Sequence, residues 1–147
     1  MRKIQTIPYA KAIQLLKNAD KIAETAHKGQ FRHDNVTPYV EHPRAVAHQF
    51  YNKPFKIISL LHDVVEDSNI TFADLLKQGF PFDIVSIIET LTRRKDETYL
   101  DYIWRINQNS EAIPIKLADL KHNMSECKNK HQLEKYQLAT FILEKLL

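Results

Sequence analysis

Histidine and aspartate stand side by side in an otherwise apolar stretch at His62 and Asp63. Burying this pair is unfavourable unless hydrogen bonds or a metal ion satisfy both side chains. Imidazole nitrogen and carboxylate oxygen are good ligands for divalent metals, but two residues cannot fill a coordination sphere. His42, at an expected helix start, and Asp119, in a separate apolar helix, are the best further candidates. These four ligands would leave positions of a six-coordinate ion such as Mn²⁺ open for water and substrate, as catalysis requires.

Further polar residues follow the metal candidates at helical spacing. Glu66 lies four residues after His62, and Asp67 follows it. If the helix continues, these carboxylates lie about one turn from the metal, where they could orient water, accept its proton or protonate a leaving group. Asn123 lies one turn after Asp119 and could reach the same cleft as a hydrogen-bond donor. Each motif alone is weak, and the signal becomes strong because four of them occur in order, at residues 39–43, 61–67, 116–119 and 122–123.

These residues also have purely structural interpretations. The histidines can be hydrogen-bonded core residues and the aspartates helix caps, but Asp63 and Asp119 fall within apolar stretches, which makes capping a poor explanation. Glu66 and Asp67 can form a solvated helix end, yet carboxylates at a helix C-terminus oppose the helix dipole. We therefore favour metal binding and catalysis.

The elements that must position these residues are predicted to be helices. The 147 residues include only two glycines. Hairpins of sheets and phosphate-binding loops rely on glycine, so its scarcity favours helices. The last helix is expected to pack on the core through residues that include Leu138 and Phe141. We expect an all-α, compact single-domain helical bundle over residues 1–147. Apolar periodicity predicts helices near residues 8–28, 43–50, 55–66, 83–92, 98–108, 110–124 and 132–147.

Composition also restricts the partners. The net charge of +3 suits an anionic small molecule but is too weak to indicate nucleic acid. Cys127 is the single cysteine, so an intrachain disulfide is impossible, and a reducing compartment fits. No apolar run approaches the ~18 residues that span a membrane, and the first residues lack a signal-peptide pattern. We expect a cytoplasmic protein with no membrane partner, and its oligomeric state stays open.

Several segments resemble the RelA/SpoT-type hydrolase domain of the HD superfamily. The resemblance implies a helical bundle with one Mn²⁺, although other divalent transition metals suit the same ligands. It implies His42, His62, Asp63 and Asp119 as metal ligands, and Glu66 and Asp67 as catalytic carboxylates. The implied reaction is removal of the 3′-pyrophosphate from the alarmone (p)ppGpp of the stringent response, giving pyrophosphate and GDP or GTP, as in stand-alone small alarmone hydrolases. The matching segments are residues 26–32, 37–43, 60–68, 91–92, 116–119 and 122–123.

Departures from the family pattern concern the substrate more than the metal. His33 stands where the family often has a second basic residue after Arg32. The family also has a glycine near the position of Asn35. Because asparagine tolerates positive φ, we expect the turn to be kept. Arg32 could grip phosphate bidentately, and Asn123 could contact the ligand. His27 is expected to end a helix. One alternative is a phosphohydrolase for another nucleotide, such as NADPH or a nucleoside monophosphate, and a less favoured one is a non-enzymatic nucleotide sensor.

Overall fold

The computed structural model describes residues 4–145, and within that range it confirms an all-helical bundle. The remaining residues of the predicted domain, 1–3 and 146–147, lie outside the described residues. The β-structure of the described range is one antiparallel bridge between Phe31 and Pro38. The helices are α1 (Tyr9–Ala26), α2 (Glu41–His48), α3 (Lys53–Leu61), α4 (Val64–Asp67), α5 (Phe72–Lys77), α6 (Phe82–Leu91), α7 (Tyr99–Asn107), α8 (Ala112–Glu126) and α9 (Lys130–Lys145).

Helix α3 lies at the centre of the bundle, in contact with α1, α2, α6 and α8. Its side chains Ile57, Ile58 and Leu61 are completely buried in the core that these helices share. Close packing on several sides leaves such a helix little freedom to shift. The residues that follow Leu61 therefore start from a fixed point.

The prediction of one continuous helix over residues 55–66 was wrong. Helix α3 ends at Leu61 and α4 begins at Val64, which places His62 and Asp63 in the junction between them. The Nδ1–H group of His62 donates to the backbone carbonyl of Ser59 at 2.6 Å. In an uninterrupted helix that carbonyl would accept from the N–H of Asp63, so the imidazole competes with the helical hydrogen bonds. A local side-chain hydrogen bond thus takes the place of the helical one at this point.

The loop between α1 and α2 is held by its own hydrogen bonds. Oδ1 of Asp34 accepts from the backbone N–H groups of Val36 and Thr37, both at 2.9 Å. Asn35 has φ of 57°, so the expectation that asparagine serves at positive φ is confirmed. This turn returns the chain to the start of α2, where His42 lies.

The outer helix α9 packs on the core less extensively than expected. Leu138 and Phe141 are each 56% exposed, whereas Ile142 and Leu143 are buried. The apolar residues of α9 cover more of its circumference than its neighbours can bury.

In the described part of the chain, no helix has both the length and the apolar character needed to cross a membrane.

Candidate metal centre and adjoining cleft

Three separate parts of the chain bring the four predicted metal ligands together. His42 lies in the first turn of α2, His62 and Asp63 lie in the α3–α4 junction, and Asp119 lies in α8. The Nε2 atom of His42 is 3.0 Å from Oδ1 of Asp119 and 3.6 Å from Oδ2 of Asp63. The Nε2 atom of His62 is 3.1 Å from Oδ2 of Asp63 and 3.7 Å from Oδ1 of Asp119. Two imidazoles and two carboxylates therefore surround one point.

The donor set fits a divalent metal ion. Ligand atoms of His42, His62 and Asp119 lie within 4.8 Å of one another, a separation that one ion can bridge. Nε2 of His62 is buried and has no hydrogen-bond partner, although carboxylate oxygens lie near it. Because Nδ1 donates to Ser59, Nε2 is the nitrogen that would bind a metal ion, with release of its proton. A backbone carbonyl behind the ring is the usual support of a metal-binding histidine.

The charges of this cluster are stabilised as ion pairs. Burial alone would lower the pKa of His62, but Asp63 and Asp119 outweigh it and raise that pKa well above its ordinary value. Burial would raise the pKa of Asp119, but Lys116 and the histidines hold it well below its ordinary value. The Nζ atom of Lys116 lies 2.7 Å from Oδ2 of Asp119 and 5.1 Å from the centre of the Tyr102 ring. Lys116 therefore provides a permanent positive charge next to Asp119.

Two supporting residues to which the sequence analysis gave no role contact the ligands directly. The hydroxyl of Tyr39 donates to Oδ2 of Asp63 at 2.7 Å. Nδ1 of His122 and Nδ1 of His42 share a hydrogen bond of 2.7 Å. Their presence in the same short motifs as the ligands was the available signal, but spacing does not reveal which way a side chain turns.

Glu66 and Asp67 both lie on α4, which begins directly after Asp63. Oε1 of Glu66 accepts a short hydrogen bond from the backbone N–H of Arg93. Partial burial raises the pKa of Glu66, and the Arg93 N–H opposes that shift. Partial burial and the negative charge of Asp63 raise the pKa of Asp67 to about 6. The arrangement therefore provides two acids that exchange protons closer to neutral pH than ordinary carboxylates do.

Arg32 and Asn123, the two predicted substrate contacts, bind each other. Arg32 is buried, and its Nη2 donates to Oδ1 of Asn123 at 2.9 Å. Its Nε and Nη2 also donate to Oε2 of Glu126, at 2.9 and 2.7 Å. Asn123 in turn donates from Nδ2 to Oδ1 of Asp119 at 2.7 Å. Arg32 thus has a carboxylate partner already, which the sequence analysis did not foresee.

A cleft of about 470 Å³ opens beside this network. Its volume lies within the range of small-molecule sites. Since Arg32 and Glu126 contribute to its wall, the cleft adjoins the metal cluster through Asn123. The lining residues are Arg32, His33, Asp34, Glu126, Cys127, Lys128, Asn129 and Gln132.

The helical bundle, with two histidines and two aspartates close together between its helices, agrees with the HD-type fold expected from the sequence. No protein-family model matches the chain. The bifunctional (p)ppGpp synthase/hydrolase SpoT of Escherichia coli is 32% identical over 136 residues, which cover 82% of this chain and 19% of SpoT. The guanosine-3′,5′-bis(diphosphate) 3′-pyrophosphohydrolase MESH1 of Xenopus tropicalis is 33% identical, over 79% of this chain and 70% of that protein. The chain therefore belongs to the (p)ppGpp 3′-pyrophosphohydrolase family.

A solved structure supports the fold. It is that of a metazoan orthologue of SpoT, with a TM-score of 0.69 and 24% sequence identity. The similarity covers 95% of this chain and 86% of that one. The family expected from the sequence is thus confirmed, while the chain spans about a fifth of the length of the bacterial SpoT relative.

Proposed function

We propose that this chain is a metal-dependent hydrolase that removes the 3′-pyrophosphate from (p)ppGpp and releases pyrophosphate and GDP or GTP. The observation that carries the proposal is the convergence of His42, His62, Asp63 and Asp119 on one point. Family membership supports the choice of substrate, since the frog relative is named for this reaction. We further propose that residues 1–147 form one such domain and that it acts in the cytoplasm.

His42, His62, Asp63 and Asp119 would hold one ion, for which we propose Mn²⁺. When bound, such an ion polarises phosphate oxygen and lowers the pKa of water. Lys116 binds Oδ2 of Asp119, while Oδ1 of that residue lies nearest the histidines. Metal binding requires both imidazoles in their neutral form. In that form two aspartates and one lysine leave a single negative charge, which a divalent ion would reverse. The loaded site would then attract an anionic phosphate.

Glu66 and Asp67 supply the proton transfers in this proposal. Water attacks the phosphorus that is bonded to the ribose 3′-oxygen. The bond between this phosphorus and the 3′-oxygen breaks, and pyrophosphate leaves with the oxygen of the water. The carboxylates accept the proton of the water and return a proton to the 3′-oxygen. Partial burial, which raises the pKa of Asp67, favours both transfers near neutral pH. The hydrogen bond from Arg93 fixes the direction of the Glu66 carboxylate.

The cleft beside Arg32 would hold the nucleoside. Asp119 and Glu126 are seven residues apart on α8, which places the cleft about 10 Å along the helix axis from the metal ligands. Asn123 lies between them and contacts both Asp119 and Arg32. Asn123 and Arg32 would set the distance between the nucleoside and the reacting phosphate.

A nucleotide panel tests the proposed substrate. The Mn²⁺-loaded protein is incubated with ppGpp, NADPH and nucleoside monophosphates, and pyrophosphate and phosphate are measured. We expect pyrophosphate from ppGpp. Background release from ppGpp together with turnover of another nucleotide would contradict the substrate assignment and favour the alternative phosphohydrolase.

Two variants separate an enzyme from a nucleotide sensor. His62→Ala is expected to lose the metal, measured by elemental analysis. Glu66→Ala is expected to bind nucleotide but to lose turnover by roughly 10²-fold or more. Full biological activity of Glu66→Ala in cells, despite lost turnover, would favour the sensor.

A further inference from the structure

We propose that His27 and Gln30 are positioning residues that fix Asp67 and, through Tyr39, Asp63. This inference rests on the proposed function, because it supposes that these two carboxylates serve the reaction. The sequence predicts that His27 ends a helix, and His27 does follow the last residue of α1. Its contacts, however, lead to the site.

A chain of two hydrogen bonds joins His27 to Asp67. Nδ1 of His27 lies 2.8 Å from Oε1 of Gln30, and since an amide oxygen only accepts, the imidazole is the donor. This bond turns the amide so that its Nε2 donates to the backbone carbonyl of Asp67 at 2.8 Å. Gln30 is 37 positions away from Asp67, so the contact is a tertiary one.

The carbonyl that Gln30 binds is at the end of α4. That helix has only four residues, and the backbone becomes extended at Ser68. The last carbonyls of a helix lack intrahelical partners, and a short helix has few bonds to hold it. The amide of Gln30 therefore stabilises the position of the segment that carries Asp67.

A second branch runs from His27 to the metal ligands. The rings of His27 and Tyr39 lie 4.7 Å apart, and the Tyr39 hydroxyl donates to Oδ2 of Asp63. The backbone N–H of Tyr39 also donates to the carbonyl of Gln30 at 2.9 Å. One imidazole thus supports both a candidate ligand and a candidate catalytic carboxylate.

The burial of His27 is unfavourable for the fold alone. Its side chain is nearly inaccessible, and Nε2 has no hydrogen-bond partner. A buried polar atom without a partner destabilises the folded state, and a leucine here would avoid that loss. The presence of an imidazole at this position therefore indicates a role other than stability.

His27→Leu and His27→Asn test the role of the imidazole. His27→Leu removes the donor to Gln30, and we expect kcat to fall roughly 10- to 100-fold, the usual effect of losing such outer support. KM should change little and the melting temperature should be equal or higher. His27→Asn places an amide N–H near the position of Nδ1 and should recover most of kcat.

Gln30→Leu should reproduce the loss of kcat, because it removes the donor to Asp67. The matched controls are His131→Leu and Gln14→Leu, on exposed helix positions outside the proposed site, and both should keep the wild-type kcat. Wild-type kcat in His27→Leu, or a fall in kcat that matches a lost fraction of folded protein, would overturn the proposal.

Metal affinity keeps this test independent of the substrate. If wild-type protein turns over no nucleotide, the proposed function fails, and Mn²⁺ titration calorimetry still decides the positioning role through Asp63. His27→Leu is then expected to bind Mn²⁺ roughly 10-fold more weakly than wild type. Equal affinity would overturn the role.

Discussion

Two arginine–glutamate pairs of this protein look alike in sequence but differ in structure. The clamp pair joins Arg105 of α7 to Glu97 through both carboxylate oxygens, at 2.6 and 2.8 Å, and the Glu97 side chain is only 9% exposed. The cleft pair joins Arg32 to Glu126 through one oxygen, and the Glu126 side chain is 37% exposed. The first pair is closed, whereas the second is open to the cleft.

The remaining contacts of each arginine explain this difference. Arg105 also donates to the backbone carbonyls of Thr90 and Thr92, near the end of α6. It thereby satisfies groups that the helix end leaves without partners. Arg32 instead contacts Asn123, which binds a metal-ligand candidate. We infer that the clamp pair serves stability and the cleft pair serves the site, and the following predictions test that division.

The largest expected effect is that of Asp63→Asn, at the site to which the cleft pair leads. Loss of the charged ligand should remove most of the metal and lower turnover by roughly 10³-fold or more, several kcal/mol of transition-state stabilisation. The folded state should change little, because the amide is isosteric. Elemental analysis and calorimetry check both, with the exposed Asp96→Asn as control. Full metal content in Asp63→Asn would contradict the ligand assignment.

Glu66→Gln should lower kcat by roughly 10²- to 10⁴-fold with metal retained. The amide oxygen can still accept from the backbone N–H of Arg93, so the local structure is kept. Parallel measurements of kcat and Mn²⁺ affinity distinguish a catalytic carboxylate from a ligand. Loss of Mn²⁺ would show that Glu66 holds the ion instead.

The sequence was sufficient for the helices and for the clustering of the ligands. Periodicity located α1, α6, α7 and α8 to within two residues at each end, because amphipathic stripes reflect burial directly. The choice of His42 and Asp119 rested on ligand chemistry, which few residue types provide. Their roles remain proposals, but their proximity is observed.

Side-chain direction and partner choice could not be predicted in the same way. At the break, the His62 imidazole captures the Ser59 carbonyl, a local side-chain hydrogen bond that apolar periodicity does not encode. Likewise the composition of α9 did not show that Leu138 would be exposed. Nothing in the type or position of Arg32 predicts that Glu126, 94 residues later, is its partner.

Exchange of each arginine for methionine compares the two pairs directly. Arg105→Met leaves the partly buried Glu97 with the backbone N–H of Arg94 as a remaining donor, and it takes the donor from two carbonyls. We expect a loss of about 2 kcal/mol in the free energy of unfolding. Arg32→Met leaves a glutamate that water can reach, so the stability loss should be about 1 kcal/mol. Turnover should follow the opposite order, with kcat/KM roughly 10-fold lower only in Arg32→Met, since charge-assisted bonds in the cleft are lost. Urea unfolding and steady-state kinetics check this, and equal effects of the two exchanges would remove the distinction.

Acid should weaken the clamp pair more than the cleft pair, in the smallest of these effects. The hydrogen bonds from Arg105 lower the pKa of Glu97 from an ordinary 4.5 to about 2. Because the folded-state pKa is the lower one, the stabilisation is complete above pH 4.5 and is lost as the pH falls towards 2. Glu97→Gln should therefore be about 1 to 2 kcal/mol less stable than wild type at neutral pH, and the gap should shrink at about pH 3.

Glu126→Gln gives the matched measurement for the cleft pair. Burial would raise the pKa of Glu126, but Arg32 outweighs it and the pKa is lowered. The stabilisation by this pair is therefore also lost as the pH falls, as it is for Glu97. The gap to wild type at neutral pH should be under about 1 kcal/mol, because solvent screens an exposed partner. Urea unfolding at neutral pH and at about pH 3 measures both gaps. A gap for Glu97→Gln that is independent of pH would show that the carboxylate charge contributes nothing, and the closed geometry of the clamp pair would then stabilise the fold through packing alone.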